Sequence, residues 1–301
     1  MKKIIFILTI ILIIFMYDTF IFKNTTYDLY NLITSNDDYE IINNKSLLIT
    51  SNEKENYYVY KEVKSDHVKI YNELINKLYT IINKGYDKYT IYCDYDCTKD
   101  IINLQDDENA KHINDFVNTY NKFKNIRTLN YDNGKVDLII TKLYSEDEIN
   151  SLNNIIDNII NNYGINNYDT YTKIKIFHDY LVNNTKYDQS FTKESADTNP
   201  IKATGPLLYN TGVCAGYTDA FSLFLDKINV ENFKISTTEH TWNVVNIDNN
   251  YFHIDATFDD PITDTGEDIL IYDYYLKTTN EIEEKNDKDH IINYQIYDFI
   301  K

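Results

Sequence analysis

The stretch 209-YNTGVCAGYTDAF-221 places Cys214 between a glycine-containing loop and a run with helical periodicity. The apolar residues that follow recur at i, i+3, i+4, i+7, i+8 and i+11, which is the pattern of one buried helix face. They are Tyr217, Ala220, Phe221, Phe224, Leu225 and Ile228. Cys214 is therefore predicted to lie at or just before the first turn of this helix. Unpaired backbone N–H groups and the positive end of the helix dipole meet there and favour a thiolate, so an activated cysteine is the first functional hypothesis.

The composition limits the classes of protein to consider. The chain has 301 residues, of which 43% are hydrophobic, and this leaves room for a membrane or export segment plus one large or two modest domains. Its formal net charge is −18, and lysine and arginine form no cluster beyond the extreme N-terminus. Because nucleic acids and anionic surfaces bind basic patches, the sequence argues against both as partners.

The chain has three cysteines, Cys93, Cys97 and Cys214, which is an odd number. If Cys93 and Cys97 form a local disulfide in an oxidising compartment, Cys214 is the free thiol. Two other interpretations stay open for Cys93 and Cys97. They could be ordinary thiols, or half of a metal site for which the sequence offers no second Cys/His pair.

The N-terminal segment has the features of a membrane anchor. Lys2 and Lys3 precede the apolar run Ile4–Phe22, which would span about 28 Å as a helix, close to the thickness of a bilayer core. No small-x-small cleavage motif follows, so residues 1–23 are predicted to be an uncleaved signal anchor, with secretion after cleavage as the alternative. The two lysines place the N-terminus in the cytoplasm and the rest of the chain outside it, as a single-pass membrane protein.

Residues 24–165 are predicted to form a smaller α+β domain of unknown role. Helical periodicity, an Asn-Gly hairpin signal and a capping box divide its second half into elements. These are a helix over 71–82, a strand over 89–92, a helix over 110–120, a hairpin turned at Asn133-Gly134, and a helix opened by Ser145 and Glu148.

Residues 166–301 are predicted to form a catalytic domain of the α+β class. A helix face over 171–181 and the Cys214 helix come first, and strand-like runs over 233–238, 240–247 and 251–255 follow. Helices followed by an antiparallel hairpin are typical of an α+β layout.

The hairpin decides whether His240 and Asp255 can meet. If its turn is centred between Asp248 and Asn249, Asp255 lies opposite Trp242, and His240 is its diagonal neighbour on the same face. If the turn is centred on Asn249, the two side chains lie on opposite faces, and the sequence alone does not choose between these registers.

Three sequence blocks resemble the core motifs of the transglutaminase-like superfamily. They are 212-GVCAGY-217, 240-HTWNVV-245 and 251-YFHIDATFDDP-261, and 177-FHDY-180 with Tyr187-Asp188 is similar to an upstream segment of that family. The resemblance covers about residues 166–262. It implies a papain-like fold in which a cysteine at a helix N-terminus packs on an antiparallel sheet. One departure is Phe258, where a tryptophan is more usual, and we expect it to affect packing rather than chemistry.

By this resemblance, Cys214 is the nucleophile, His240 the general base and acid, and Asp255 the carboxylate that orients the imidazole. Such a triad forms a thioester from an amide carbonyl and passes the acyl group to an amine or to water. The expected substrate is a protein or peptide amide, such as one in the cell wall, and no cofactor or metal is expected. The alternatives are a cysteine peptidase or amidase of the cell envelope, and a non-catalytic surface binding module on the same fold.

Other polar residues near the motifs have simpler interpretations. A metal site made of Cys214, His240 and Asp255 would lack a fourth ligand. His178 is predicted to be structural, and His253 either supports the site or is an exposed strand residue. The remaining candidates are Asp259, Asp260 and Asp264 as calcium ligands or, alternatively, as turn caps before Pro261, and Tyr187 as a second oxyanion donor.

Overall fold

The computed structural model describes residues 59–106, 112–192, 194–263 and 269–301. The predicted anchor, residues 1–23, lies outside these ranges, as does the first part of the predicted domain 24–165. No helix among the described residues is long and apolar enough to cross a membrane. The described residues form a mixture of helices and strands, so the α+β class is confirmed for them.

The first group of elements is built around a four-stranded sheet. Its strands lie in the order β1, β2, β4, β3; β1 and β2 are parallel, and the other two pairs are antiparallel. The bounds are β1 (His67–Val68), α1 (Tyr71–Asn83), β2 (Lys88–Cys93), α2 (Thr98–Asp106), α3 (Ile113–Phe116), β3 (Phe123–Asn130), β4 (Lys135–Lys142) and α4 (Glu146–Asn162).

Local sequence signals explain several of these bounds. Gly85 follows α1 with a φ of 74°, and the capping box at Ser145 and Glu148 opens α4 as predicted. The helix predicted over 110–120 is interrupted, because in its described part, residues 112–120, the helical backbone consists of α3 and the start of a 3₁₀ turn at Thr119–Asn121. Val117 is extended between them, and the side chain of Asn118 caps the second piece by accepting from the N–H of Tyr120.

The second group carries the sequence motifs. A two-stranded parallel pair, β5 with β6, precedes the helix of Cys214, and an antiparallel three-stranded sheet, β7-β8-β9, follows it. The bounds are α5 (Thr170–Asn184), β5 (Lys186–Tyr187), β6 (Thr211–Gly212), α6 (Cys214–Lys227), β7 (Asn232–Ser236), β8 (Thr241–Ile247), β9 (Asn250–Ile254) and α7 (Thr279–Glu284).

The three-stranded sheet is buried on both faces. Phe233, Ile235 and Trp242 belong to a hydrophobic core shared with the four-stranded sheet. Val245 and Ile254 belong to a second core, shared with α4, α5 and α6. Both cores therefore contain residues from either side of position 165, while the predicted domain division there stays a prediction.

Cys93 and Cys97 form a disulfide, which leaves Cys214 as the free cysteine of the chain. Of the interpretations that the sequence left open for Cys93 and Cys97, the structure therefore has the local disulfide. Cys93 is the last residue of β2, and Cys97 lies just before α2, so the bond joins the end of this strand to the start of a helix.

Candidate functional site

Cys214 is the first residue of α6 and is half-buried. The loop before the helix packs closely on its first turn, since the carbonyl of Pro200 accepts from the N–H of Val213 at 2.9 Å. A Cβ on Gly216 would lie 2.4 Å from the same carbonyl oxygen, so this position requires glycine. The backbone N–H of the first helical residue has no helical carbonyl before it, which makes the N–H of Cys214 a candidate oxyanion donor.

The β8–β9 hairpin has the register that brings His240 and Asp255 together. Its turn is Asp248-Asn249, and both residues have positive φ, 53° and 62°, as a tight two-residue hairpin turn requires. The last pair of the ladder is Asn243 opposite Ile254. One step further along the same register, Asp255 falls opposite Trp242, and His240 is its diagonal neighbour.

The three predicted site residues lie close together. His240 Nε2 hydrogen-bonds to Asp255 Oδ2. The side chain of Cys214 contributes to the raised pKa of His240, which places the thiol close to the imidazole. The structure thus brings these side chains together, and their catalytic roles stay a prediction.

The electrostatics of the pair favour a charged imidazole. Burial alone lowers the pKa of His240, but the charge and hydrogen bond of Asp255, together with the hydrogen bond of Cys214, outweigh burial and raise it. Burial likewise raises the pKa of Asp255, but the two imidazoles beside it, His240 and His290, hold it well below its usual range. An imidazolium beside a cysteine stabilises the thiolate form of that cysteine.

Trp242 fixes the imidazole of His240 from one side. The two rings stack with their centroids 5.7 Å apart and an interplanar angle of 18°. Trp242 Nε1 donates to Nδ1 of His253 at 2.9 Å, and His253 Nε2 lies 3.0 Å from the hydroxyl of Thr279, which donates to the Ile300 carbonyl. His253 is fully buried, and burial with the nearby charge of His290 lowers its pKa to about 3. It supports the site as a neutral ring, which excludes the exposed-strand alternative.

His290 is a site residue that sequence reasoning missed. Its Nε2 lies 2.9 Å from Asp255 Oδ2, the same oxygen that His240 contacts. The chain returns to the site because the segment after β9 runs beside it: His253 and Lys277 exchange two backbone hydrogen bonds. The 3₁₀ turn Lys288–His290 then follows α7. The only signal in the sequence is the Asp287-x-x-His290 spacing, which lies in a segment without periodicity.

Donor atoms of His240, Asp255 and His290 lie within 4.8 Å of one another, a spacing compatible with a metal ion. However, both imidazole Nε2 atoms are hydrogen-bonded to one oxygen of Asp255. These are the atoms that a metal would need, so the arrangement is better described as a hydrogen-bonded group. The absence of a metal site stays a prediction.

The other candidates occupy supporting positions. His178 is fully buried, and its two nitrogens lie 3.2 Å from Asp179 and 3.1 Å from Asp259, as expected for a structural histidine. Asp259 also accepts from the backbone N–H of Tyr274, and Asp260 accepts from the hydroxyl of Tyr217 at 2.6 Å. Asp264 lies outside the described residues.

Two features adjoin Cys214. Tyr187 pairs with Gly212 in the β5–β6 ladder; burial raises its pKa, and charge on Cys214 raises it further, which places its ring near the thiol. A polar cavity of about 160 Å³ lies beside Ala215 and Thr241, the chain neighbours of Cys214 and His240. Its other lining residues are Asn114, Asp115, Lys122, Thr218, Asp219, Lys234 and Ser236.

Comparison with known proteins gives partial matches of fold. No protein-family model and no curated protein matches the chain. Among solved structures, a crystal structure of a transglutaminase is similar over 56% of this chain and 51% of its own, with 13% identity and a TM-score of 0.33. A candidate cysteine protease from Cytophaga hutchinsonii is similar over 48% of this chain and 65% of its own, with 14% identity and a TM-score of 0.29.

This chain matches between half and two thirds of the length of those two proteins, so their activities are not transferred to it. The chemistry of this site rests on its own residues.

Proposed function

We propose that this protein is a transglutaminase-like thiol enzyme, with Cys214 as nucleophile, that acts on the amide carbonyl of a protein or peptide. The observation that carries the proposal is the hydrogen bond of His240 to Asp255, with the Cys214 thiol close to the imidazole at the N-terminus of α6. Such contacts between nucleophile, base and orienting group are the arrangement that nucleophilic catalysis needs.

The proposed reaction has two steps. The Cys214 thiolate attacks the carbonyl carbon, and the N–H of Cys214 stabilises the oxyanion that forms. The imidazolium of His240 then gives its Nδ1 proton to the departing amine or ammonia, which leaves a thioester. In the second step His240 takes a proton from an incoming amine or water, and attack on the thioester releases the acyl product and restores the Cys214 thiolate beside the imidazolium.

We place this site outside the cytoplasm, at the end of an N-terminal membrane anchor. The charge pattern of residues 1–23 supports this orientation, and the Cys93–Cys97 disulfide supports an oxidising compartment. In such a compartment the free thiol of Cys214 has to be protected from oxidation, and its half-buried position supplies part of that protection.

The test is mass spectrometry of a pool of amide-containing peptides incubated with the full-length protein, with and without a primary amine. We expect peptides that gain the mass of the amine, or that lose ammonia or are shortened when water is the acceptor. Cys214→Ala should abolish all of these products, because no other free thiol is present in the chain. Products that persist in Cys214→Ala would refute the role of Cys214. No products with the unsubstituted protein would favour a binding module.

A further inference from the structure

Asp255 is bonded to two imidazoles through one oxygen. Its Oδ2 faces Nε2 of His240 and, at 2.9 Å, Nε2 of His290. Its Oδ1 accepts from the backbone N–H groups of Thr257 at 2.9 Å and Phe258 at 3.2 Å. Because the backbone fixes Oδ1, the position of Oδ2 depends on the two imidazoles, and only one of them belongs to the predicted triad.

The second nitrogen of His290 also faces a carboxylate. His290 Nδ1 lies 3.2 Å from Oδ2 of Asp287, which accepts as well from the hydroxyl of Tyr274 at 2.8 Å. An ionised carboxylate accepts hydrogen bonds and does not donate, so both nitrogens of His290 act as donors and the ring is an imidazolium. Its charge is balanced between Asp255 and Asp287.

The ring of His290 is held in place by aromatic neighbours as well. Tyr274 stacks on it with centroids 4.5 Å apart and an angle of 20°, and Phe258 meets it edge-on at 4.6 Å. The side chain is 1% exposed. A buried cation with two carboxylate partners and a stacked ring has one defined orientation, which is what a residue that positions another group requires.

We propose that His290 is a positioning residue of this site, which holds the Asp255 carboxylate and balances its charge so that Oδ2 stays directed at His240. The inference deepens the proposed function and rests on it. Without His290, only His240 would balance the charge of Asp255. Its Oδ2 would then be free to turn away from the imidazole that it orients.

His290 also adds a positive charge near the Cys214–His240 pair, since the rings of His240 and His290 are 5.1 Å apart. A nearby cation favours ionisation of a thiol, so its loss moves thiolate formation to higher pH. The titratable groups that face His290 come from several elements. They are His240 before β8, His253 in β9, Asp255 after it, Tyr274 in the following segment, and Asp287 in the turn of His290 itself.

The experiment measures alkylation of Cys214 by iodoacetamide as a function of pH, with mass spectrometry of the modified peptide. His290→Gln keeps an N–H donor near the position of Nε2 but is neutral, whereas His290→Leu removes both donors. For His290→Leu we expect the maximal rate to fall by at least about 10-fold. The loss should be smaller than the about 10⁴-fold loss of rate that follows removal of the orienting carboxylate itself. His290→Gln should recover most of that rate. Both variants should shift the acid limb of the profile to higher pH.

Lys288→Gln is the matched control, because it removes a positive charge from an exposed position two residues away. It should leave the rate and the acid limb unchanged. A His290→Leu protein whose rate and acid limb equal those of the unsubstituted protein would overturn the inference, and so would equal losses in His290→Leu and His290→Gln. If the unsubstituted protein reacts no faster than an ordinary thiol, the proposed function fails, and this inference fails with it.

Discussion

Replacing His240 by asparagine is expected to slow alkylation of Cys214 by iodoacetamide at pH 6 by about 100-fold. The reason is that the imidazole close to the thiol, whose pKa is raised and which is therefore readily charged, is lost. Model cysteine thiols have a pKa of about 8.5, so at pH 6 only about one in 300 is ionised. A thiol paired with an imidazolium has a larger ionised fraction at this pH, whereas an unassisted thiol keeps the small one. The measurement is the second-order rate constant from pH 5 to 9, and the variant should approach the original rate only at the alkaline end.

The matched control is His178→Asn. Like His240, His178 is a buried imidazole with carboxylate partners, but it contacts Asp179 and Asp259 rather than the thiol. Its replacement should leave the alkylation rate within about 2-fold, provided that the protein remains folded by circular dichroism. If His240→Asn reacts as fast as the unsubstituted protein at pH 6, the imidazole does not activate Cys214.

Replacing Asp219 by asparagine is expected to lower the free energy of unfolding by about 3–5 kcal/mol, the scale of breaking a buried ion pair. Asp219 is fully buried in α6 and accepts from Lys122 through both oxygens at 2.9 Å, from Lys234 at 3.0 Å, and from the hydroxyl of Tyr144 at 2.7 Å. Without the carboxylate charge, two lysines remain in the interior, one of them 2% exposed. Urea unfolding followed by circular dichroism measures the change.

Asp157→Asn is the control for this prediction. Asp157 pairs with Lys227 at 2.7 Å on the surface, where both side chains are more than a third exposed. Its loss should cost no more than about 1 kcal/mol. A similar fall in the free energy of unfolding in both variants would show that the burial of Asp219 does not increase the cost of its replacement.

The same carboxylate predicts a pH dependence of stability. Burial raises the pKa of Asp219, but the charges of Lys122 and Lys234 outweigh it and hold the pKa below its usual range. A group of this kind stabilises the fold above its unfolded pKa of about 3.9, and the stabilisation is lost as the pH falls below that value. The difference in stability between the unsubstituted protein and Asp219→Asn should therefore shrink below about pH 4.

Cys214, His240 and Asp255 could be singled out from the sequence because each lies in a short motif that resembles a known family, and their catalytic roles stay a prediction. Cys214 opens a helix whose face is visible as a periodic pattern, and His240 and Asp255 belong to one hairpin. What the sequence left undecided was the centre of the turn. The structure places the turn at Asp248 and Asn249, which both adopt positive φ, and this sets His240 and Asp255 on one face.

Contacts that depend on the tertiary fold could not be predicted in this way. His290 follows Asp255 by 35 positions and arrives through a segment that has neither helical nor strand periodicity. Lys122 and Lys234 are a second example, because lysine in a sequence usually indicates an exposed position. Lys234 is buried and Lys122 is partly buried because both pair with Asp219 on another element, and pairings of this kind depend on the tertiary fold.

The sheet β7-β8-β9 has a hydrophobic core on each of its two faces. Trp242, which stacks on His240, packs into the core on one side of β8. Most residues of that core come from before position 165. A shortened chain that kept every residue of the triad would leave the reverse of its own sheet open to water.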